Sequence, residues 1–276
     1  MPDRIYTGVI GYPVGHSLSP LIHNYWITRH GFDADYAALE ILPGTLESSI
    51  GHMIEEGYAG FNVTIPYKQE IMALCDSVSD TAGLIGAVNT VVITENGHLK
   101  GMNTDSFGFV ENIWKAMPHI DFSGRTALVL GAGGAARAVV HGLGRLGVTD
   151  IRITNRTRAK AEHIAATFPA QVVDWHERES AADGAALLVN TTALGMDGQE
   201  ALSFNLTHLP DSAIVCDIVY KPLQTVLLQE AAARGNPVVT GIGMLLHQAR
   251  PAFKAWFGVM PEVDGTLQEM VLEKAQ

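Results

Sequence analysis

"TALVLGAGGAARAVVHGLGRLG" occupies residues 126–147, and the order of its parts decides the fold. An apolar run fit for a buried strand leads into a glycine turn, and the turn opens an amphipathic helix. Gly131 permits the tight turn, and Gly133 lets the backbone approach a pyrophosphate. The helix N-terminus then offers free N–H groups and the positive end of its dipole to an anion. Ala136 stands at the position of the fingerprint's third glycine, where a small residue still allows close helix–strand packing. Alone, such a turn is equally a structural device. Strand, turn and helix in this order make it a dinucleotide site.

The next strand says which dinucleotide. A site for NAD carries an acidic residue ~20 residues on, bonded to the ribose 2′-OH. Here the strand ends "TNRTRAK" (154–160), with Arg156, Arg158 and Lys160 and no carboxylate. Cations at that point suit a 2′-phosphate, so NADP is the expected cofactor, with Arg158 facing solvent. The plainer alternative is a solvated basic start to a helix.

Around this unit the chain alternates strands and helices. Further strands are expected at 150–156, 185–192, 213–220 and 237–242, and helical segments from 243 onward. In the first hundred residues, strands are expected at 5–10, 35–41 and 60–65. Helices are expected at 20–31, with Pro20 first and Gly31 past its end, and at 45–57, with Thr45 or Ser48 as cap. A third, at 66–78, would start on Pro66. "NTVVITENGHLKGMNTD" (89–105) reads as a hairpin about Asn96-Gly97. Such alternation gives an α/β protein with mostly parallel sheets. The two-domain reading assigns 1–107 to an N-terminal substrate domain, completed by helices at 243–276. Residues 108–242 form a C-terminal Rossmann-type dinucleotide-binding domain. A cleft between the two and a hinge motion are expected.

Composition narrows the class. Of 276 residues, 47% are hydrophobic and the net charge is -11. An acidic chain has no basic excess with which to neutralise nucleic-acid phosphates. No apolar stretch approaches the ~20 residues of a membrane span, and the first residues lack the pattern of a secretory leader. Cys75 and Cys216 are too few for a disulfide framework and are expected as buried free thiols. The eleven histidines show no H-x-x-x-H pair, so no metal site is expected. A cytoplasmic protein follows, with a small-molecule substrate and neither nucleic acid nor membrane as partner. The oligomeric state is left open, a homodimer among the options.

Four clusters in the first half carry polar side chains where strands end. "GHSLSP" places Ser17 and Ser19 before a proline-started helix, where two hydroxyls can hold a carboxylate; Ser19 alone reads as an N-cap. "NVTIPYK" puts Asn62 and Thr64 on one strand face. Lys68 follows in what should be a first helical turn, where the dipole disfavours a cation and eases proton loss. "AVNT" contributes Asn89. "GMNTDSFG" contributes Asn103 and Asp105, the latter also a candidate cap.

These stretches together resemble the shikimate dehydrogenase family. The resemblance rests on "GYPVGHSLSP", "GFNVTIPYK", "IGAVNTV", "GMNTD", "GAGGAA", "TNRT", "NTTALGM", "DIVYKP" and "GIGMLLHQA", which run in order from residue 11 to residue 249. It implies reversible NADPH-dependent reduction of 3-dehydroshikimate to shikimate, a step toward chorismate and the aromatic amino acids. It also implies Lys68 and Asp105 as the catalytic pair, and Ser17 and Ser19 at the substrate carboxylate. Thr64, Asn89, Tyr220 and Gln248 would bond the ring hydroxyls with Lys68 and Asp105. Gly131, Ala132, Gly133, Gly134 and Ala135 would meet the pyrophosphate. Asn155, Arg156, Thr157 and Lys160 would meet the adenosine phosphate, and Ile218 and Gly241 the nicotinamide. Asp80 matches a further cofactor position. The chain departs from common family forms at Tyr67, at Ile218 and at His247, whose ring is expected to face away from the pocket. A quinate-preferring enzyme using NAD is the nearest alternative, disfavoured by the missing acid after residue 154.

Overall fold

The computed structural model describes residues 4–275. The chain divides into two compact units. One comprises residues up to Thr104 with Gln248–Lys274, and the other Asp105–His247 with Ala275.

The first unit contains β1 (Ile5–Gly11), α1 (Ser19–His30), β2 (Ala34–Glu40), α2 (Leu46–Glu55), β3 (Tyr58–Val63), β4 (Ser77–Val78), α3 (Asp80–Ile85), β5 (Thr90–Ile93) and β6 (Leu99–Met102). Its sheet runs β2-β1-β3-β5-β6-β4. β1 is parallel to β2 and β3, and β4 to β6; β5 is antiparallel to both its neighbours. Ile10, Phe61, Val63, Ile71, Val88 and Val91 form the core beneath it, all fully or almost fully buried.

The second unit contains α4 (Asp105–Ala116), β7 (Thr126–Leu130), α5 (Gly134–Arg145), β8 (Asp150–Thr154), α6 (Arg158–Ala165), β9 (Gln171–Val173), β10 (Leu187–Asn190), β11 (Ile214–Asp217), α7 (Val226–Arg234) and β12 (Val238–Val239). Its sheet is β12-β11-β10-β7-β8-β9, parallel throughout. The strand first in sequence lies at the middle, and the order reverses between β7 and β10. That is the doubly wound arrangement, whose ligand crevice lies at the carboxyl ends of the strands at the switch point. Apolar side chains cover both faces, Val129, Val139 and Ile153 among those on one and Leu128, Leu188 and Val215 on the other. α8 (Ile242–Phe257) starts in the second unit and ends in the first, which α9 (Gly265–Ala275) then joins.

Several elements differ from expectation. Residues 66–78 do not form an α-helix. A turn runs through Gln69, then a 3₁₀ segment at Glu70–Leu74, then β4. The backbone there is committed to distant partners: the Lys68 carbonyl accepts the Val88 N–H (2.7 Å), and the Tyr67 hydroxyl donates to the Ile41 carbonyl (2.6 Å). Lys68 therefore lies in a turn, and the helix-dipole argument for it lapses. Ser19 is the first residue of α1 rather than its cap; the cap position is Leu18. Thr45 and Ser48 donate to the carbonyls of Leu42 and Thr45 and cap nothing with their side chains. The hairpin is present, but with a five-residue loop: Thr94 N–H bonds the His98 carbonyl (2.9 Å) and Gly97 N–H the Thr94 carbonyl (2.8 Å). β9 was not anticipated, being three residues with no alternation. β11 and β12 are shorter than the runs at 213–220 and 237–242; β11 ends where Val219 N–H turns back to the Asp217 carboxylate (3.0 Å). Cys75 is only half-buried, while Cys216 is fully buried; both are free thiols.

Candidate active site

In the first unit the polar side chains at strand ends form one buried lattice. Asn89, at the entry to β5, is its hub. Its Oδ1 accepts the Thr104 N–H (2.8 Å) and the Thr90 hydroxyl (3.1 Å). Its Nδ2 donates to Thr104 Oγ1 (3.0 Å) and toward Gln248 Oε1 (3.4 Å). Thr104 Oγ1 also reaches Gln248 Oε1 (3.3 Å). Asn62 Nδ2 donates to the Asn89 carbonyl (3.1 Å) and Thr90 Oγ1 (3.0 Å), while its Oδ1 accepts the buried Tyr36 hydroxyl (2.7 Å). Asn103 Nδ2 donates to the Ala87 carbonyl (3.0 Å). Buried polar groups bonded on several sides are rigid, so Asn89 and Gln248 are held in fixed orientations.

Ser17 and Ser19 enter at the start of α1. Ser17 Oγ accepts the Ser19 N–H (3.2 Å), which leaves the Ser17 proton available to an anion. Thr64 follows β3, its N–H bonded to the Ile10 carbonyl (2.9 Å) and its carbonyl accepting the Tyr67 N–H (3.0 Å). The structure thus places Ser17, Ser19, Thr64, Lys68, Asn89 and Gln248 in the first unit. Asp80 is there too, exposed at the start of α3, where Ser79 Oγ caps the helix by accepting the Ala82 N–H (3.2 Å).

In the second unit Asp105 is the first residue of α4 and is 7% exposed. Gly131 turns out of β7 with φ 106°, and a Cβ there would lie 2.6 Å from Thr191 Oγ1. Gly133 and Gly134 lie at the start of α5, where a Cβ on either would meet nothing within 4 Å; a helix N-terminus of this kind suits an anion. Asn155 closes the turn after β8 by donating to the Thr157 carbonyl (2.9 Å). Arg158 is committed to Glu162 (2.8 Å), whereas Arg156 and Lys160 have no carboxylate partner among the described residues. Two exposed cations without carboxylate partners fit a 2′-phosphate. Ile218 and Gly241 are neighbours, since a Cβ on Gly241 would strike the Ile218 carbonyl. Burial pushes the half-buried Tyr220 phenol above its ordinary pKa. His247 is buried in this unit.

Three supporting residues were not singled out from the sequence. Asp217, fully buried at the end of β11, is pushed up in pKa by desolvation. Bonds from Asn190, from the Val219 N–H and from Thr225 oppose that shift. Asn112 on α4 donates to the Thr240 carbonyl (2.9 Å), beside Gly241. Tyr36 supports Asn62. Each is an ordinary polar residue with a partner far away in sequence, Asn190 in the case of Asp217, and no spacing rule marks it. Among the described residues, no group of three or more His, Cys, Asp and Glu is placed to hold a metal ion.

A polar substrate unit joined to a doubly wound dinucleotide unit defines a two-domain, nicotinamide-dependent oxidoreductase. Comparison with known proteins makes the class specific. Residues 9–91 match the shikimate dehydrogenase substrate binding domain, residues 114–194 the shikimate / quinate 5-dehydrogenase model, and residues 241–270 the shikimate 5'-dehydrogenase C-terminal domain. The shikimate dehydrogenase (NADP(+)) of Paramagnetospirillum magneticum is 49% identical over 267 residues, covering 96% of this chain and 97% of its own. The Thermus thermophilus shikimate 5-dehydrogenase, solved with NADP(H) and shikimate, is 36% identical with a TM-score of 0.88, covering 99% of this chain and 100% of its own. The Corynebacterium glutamicum quinate dehydrogenase, solved with NAD, is 30% identical with a TM-score of 0.91, covering 98% and 99%. The chain belongs to the shikimate dehydrogenase family.

Proposed function

We propose that this protein is an NADP-dependent shikimate dehydrogenase, which reversibly reduces 3-dehydroshikimate to shikimate on the route to chorismate and the aromatic amino acids. The observation that carries the choice over a quinate enzyme using NAD is the end of β8, where Arg156 and Lys160 lack any carboxylate partner among the described residues. An NAD site would have an acid there to hold the ribose hydroxyl. Kinship at 49% identity with an NADP(+) enzyme over nearly the whole chain supports the same reading.

The substrate unit supplies the recognition. The Ser17 hydroxyl, whose oxygen accepts the Ser19 N–H and whose proton is left to donate, bonds the ring carboxylate, and Ser19 assists. Thr64, Asn89, Gln248 and Tyr220 bond the ring hydroxyls and fix the face presented for reduction. Gly131 to Ala135 hold the pyrophosphate, with Asn155, Arg156, Thr157 and Lys160 around the adenosine phosphate. Ile218 and Gly241 border the nicotinamide, and Asp80 is a further cofactor position. Bound NADPH supplies the hydride. As negative charge develops on the substrate carbonyl oxygen, the Lys68 ammonium delivers a proton to it, and in the reverse direction the neutral amine accepts one. Asp105 bonds the neighbouring hydroxyl and orients the lysine. The two free thiols support a cytoplasmic location.

Spectrophotometric oxidation of shikimate and of quinate, each with NADP and with NAD, tests the reading. Shikimate with NADP should have the highest kcat/KM of the four pairs. Preference for quinate or for NAD refutes it.

A further inference from the structure

We infer that Trp175 is a positioning residue for Arg156 and thereby a determinant of NADP selectivity. The inference rests on the reading of Arg156 as the 2′-phosphate cation.

The sheet itself brings the two residues together. β8 and β9 are adjacent and parallel, with Thr154 opposite Val173. Arg156 lies two residues past the first of this pair and Trp175 two past the second. Both therefore emerge at the carboxyl edge of the sheet, the edge where a doubly wound fold binds its nucleotide. Asp174 accepts the His176 N–H (3.0 Å) and starts the short 3₁₀ turn Trp175–Glu177. The indole is half-buried against the core face formed by Leu128, Leu206 and their neighbours. Its ring centroid is 5.9 Å from the Arg156 guanidinium carbon, within the range of cation–π attraction.

A second arginine holds the indole still. Arg178 packs 4.8 Å from the same ring centroid. Its guanidinium donates to the Trp175 carbonyl (3.0 Å), the Ser203 carbonyl (3.2 Å) and the Glu179 carboxylate (3.2 Å). Arg178 is thus spent on the protein, and its charge is met by Glu179. Arg156 has the same ring beside it and, among the described residues, no carboxylate partner. One guanidinium fixes the platform, and the platform holds the other guanidinium ready for an anion. A long side chain already confined loses less freedom when it closes on a phosphate.

The test uses the full-length protein and calorimetry. Wild type, Trp175→Leu, Trp175→Phe, Arg156→Ala and the Arg156→Ala, Trp175→Leu double variant are titrated with adenosine 2′,5′-bisphosphate and with adenosine 5′-monophosphate. The ratio of kcat/KM for NADP to that for NAD is measured alongside. An exposed cation–π contact corresponds to roughly a two- to fivefold effect. Trp175→Leu should weaken the bisphosphate by that factor more than the monophosphate and lower the NADP:NAD ratio to match. Trp175→Phe, which keeps an aromatic face, should recover part of the loss. In the Arg156→Ala background, Trp175→Leu should add nothing to the difference between the two nucleotides. Equal weakening of both nucleotides, no weakening, or an undiminished effect without Arg156 overturns the inference. If Arg156→Ala itself fails to weaken the bisphosphate selectively, the phosphate-clamp reading falls first and takes this inference with it.

Discussion

His23 gives the sharpest stability prediction. Its imidazole is fully buried and stacked on Tyr36 at 4.1 Å with an interplanar angle of 1°, with Trp26, Phe253 and Trp256 around it. Neither ring nitrogen has a hydrogen-bond partner among the described residues. Burial pushes its pKa down from 6.5 to about 3. A depressed value in the folded state means that the unfolded chain takes up the proton first. The contribution to stability is therefore complete above pH 6.5 and is lost progressively as the pH falls toward 3. At pH 5 the unfolded imidazole is almost wholly protonated and the folded one still neutral, a linkage penalty of about 2 kcal/mol. That is a sizeable part of a typical stability of roughly 5–15 kcal/mol. Urea unfolding of wild type and His23→Phe at pH 7.5 and pH 5.0, followed by the near-ultraviolet signal of the tryptophans, measures it. Wild type should lose about 2 kcal/mol more than the variant between the two pH values. Parallel losses, or a proton resonance of His23 titrating above pH 5.5 in the native protein, would refute the reasoning.

Three further expectations follow from the site and its supports. Lys68→Ala should lower kcat by roughly 10²–10⁴ with little change in KM for shikimate. Combining it with Asp105→Asn should cost less than the product of the single effects; strictly multiplicative losses would mean that the two do not act as a unit. Ser17→Ala should raise KM for shikimate by an amount corresponding to about 1.5–3 kcal/mol, and a rise confined to NADP would move Ser17 out of the substrate site. Gly243→Ala would drive a methyl group into Asn112 Oδ1 and should destabilise by about 1–3 kcal/mol. Thermal unfolding should show relief when Asn112→Ala is added, and an unchanged melting temperature in the single variant would show that the contact yields freely.

Most strands of the second sheet were legible because each has a local signature; the three-residue β9 has none and was not. An apolar strand, a glycine turn and an amphipathic helix can be recognised without knowing what they touch. The stretch from Pro66 to Val78 was misread for the converse reason. Its apolar spacing suits a helix, yet its backbone bonds Val88, from across the unit. The motif residues of the site were legible as types, and the resemblance supplied their roles. What joins them was not legible: Asn62 finds Tyr36 26 positions away, and Asn112 finds Thr240 128 positions away. Arg156 was visible as a cation, but not the indole that supports it. A side chain's partner depends on strand order, and strand order is a property of the whole sheet.

The divided first unit has a consequence for how the chain folds as it is made. Residues up to Thr104 emerge first, but their unit is completed only by Gln248–Lys274. The Trp256 indole then donates to the Val91 carbonyl (3.0 Å), Trp26 to the Glu262 carbonyl (2.9 Å), and Phe253 meets His23. Until then the aromatic face of α1 and the sheet beneath it lack their cover and offer apolar surface to any neighbour. The second unit, made almost entirely of one uninterrupted segment, needs no such wait. Synthesis therefore delivers the long segment of the later unit before the last two helices that complete the earlier one.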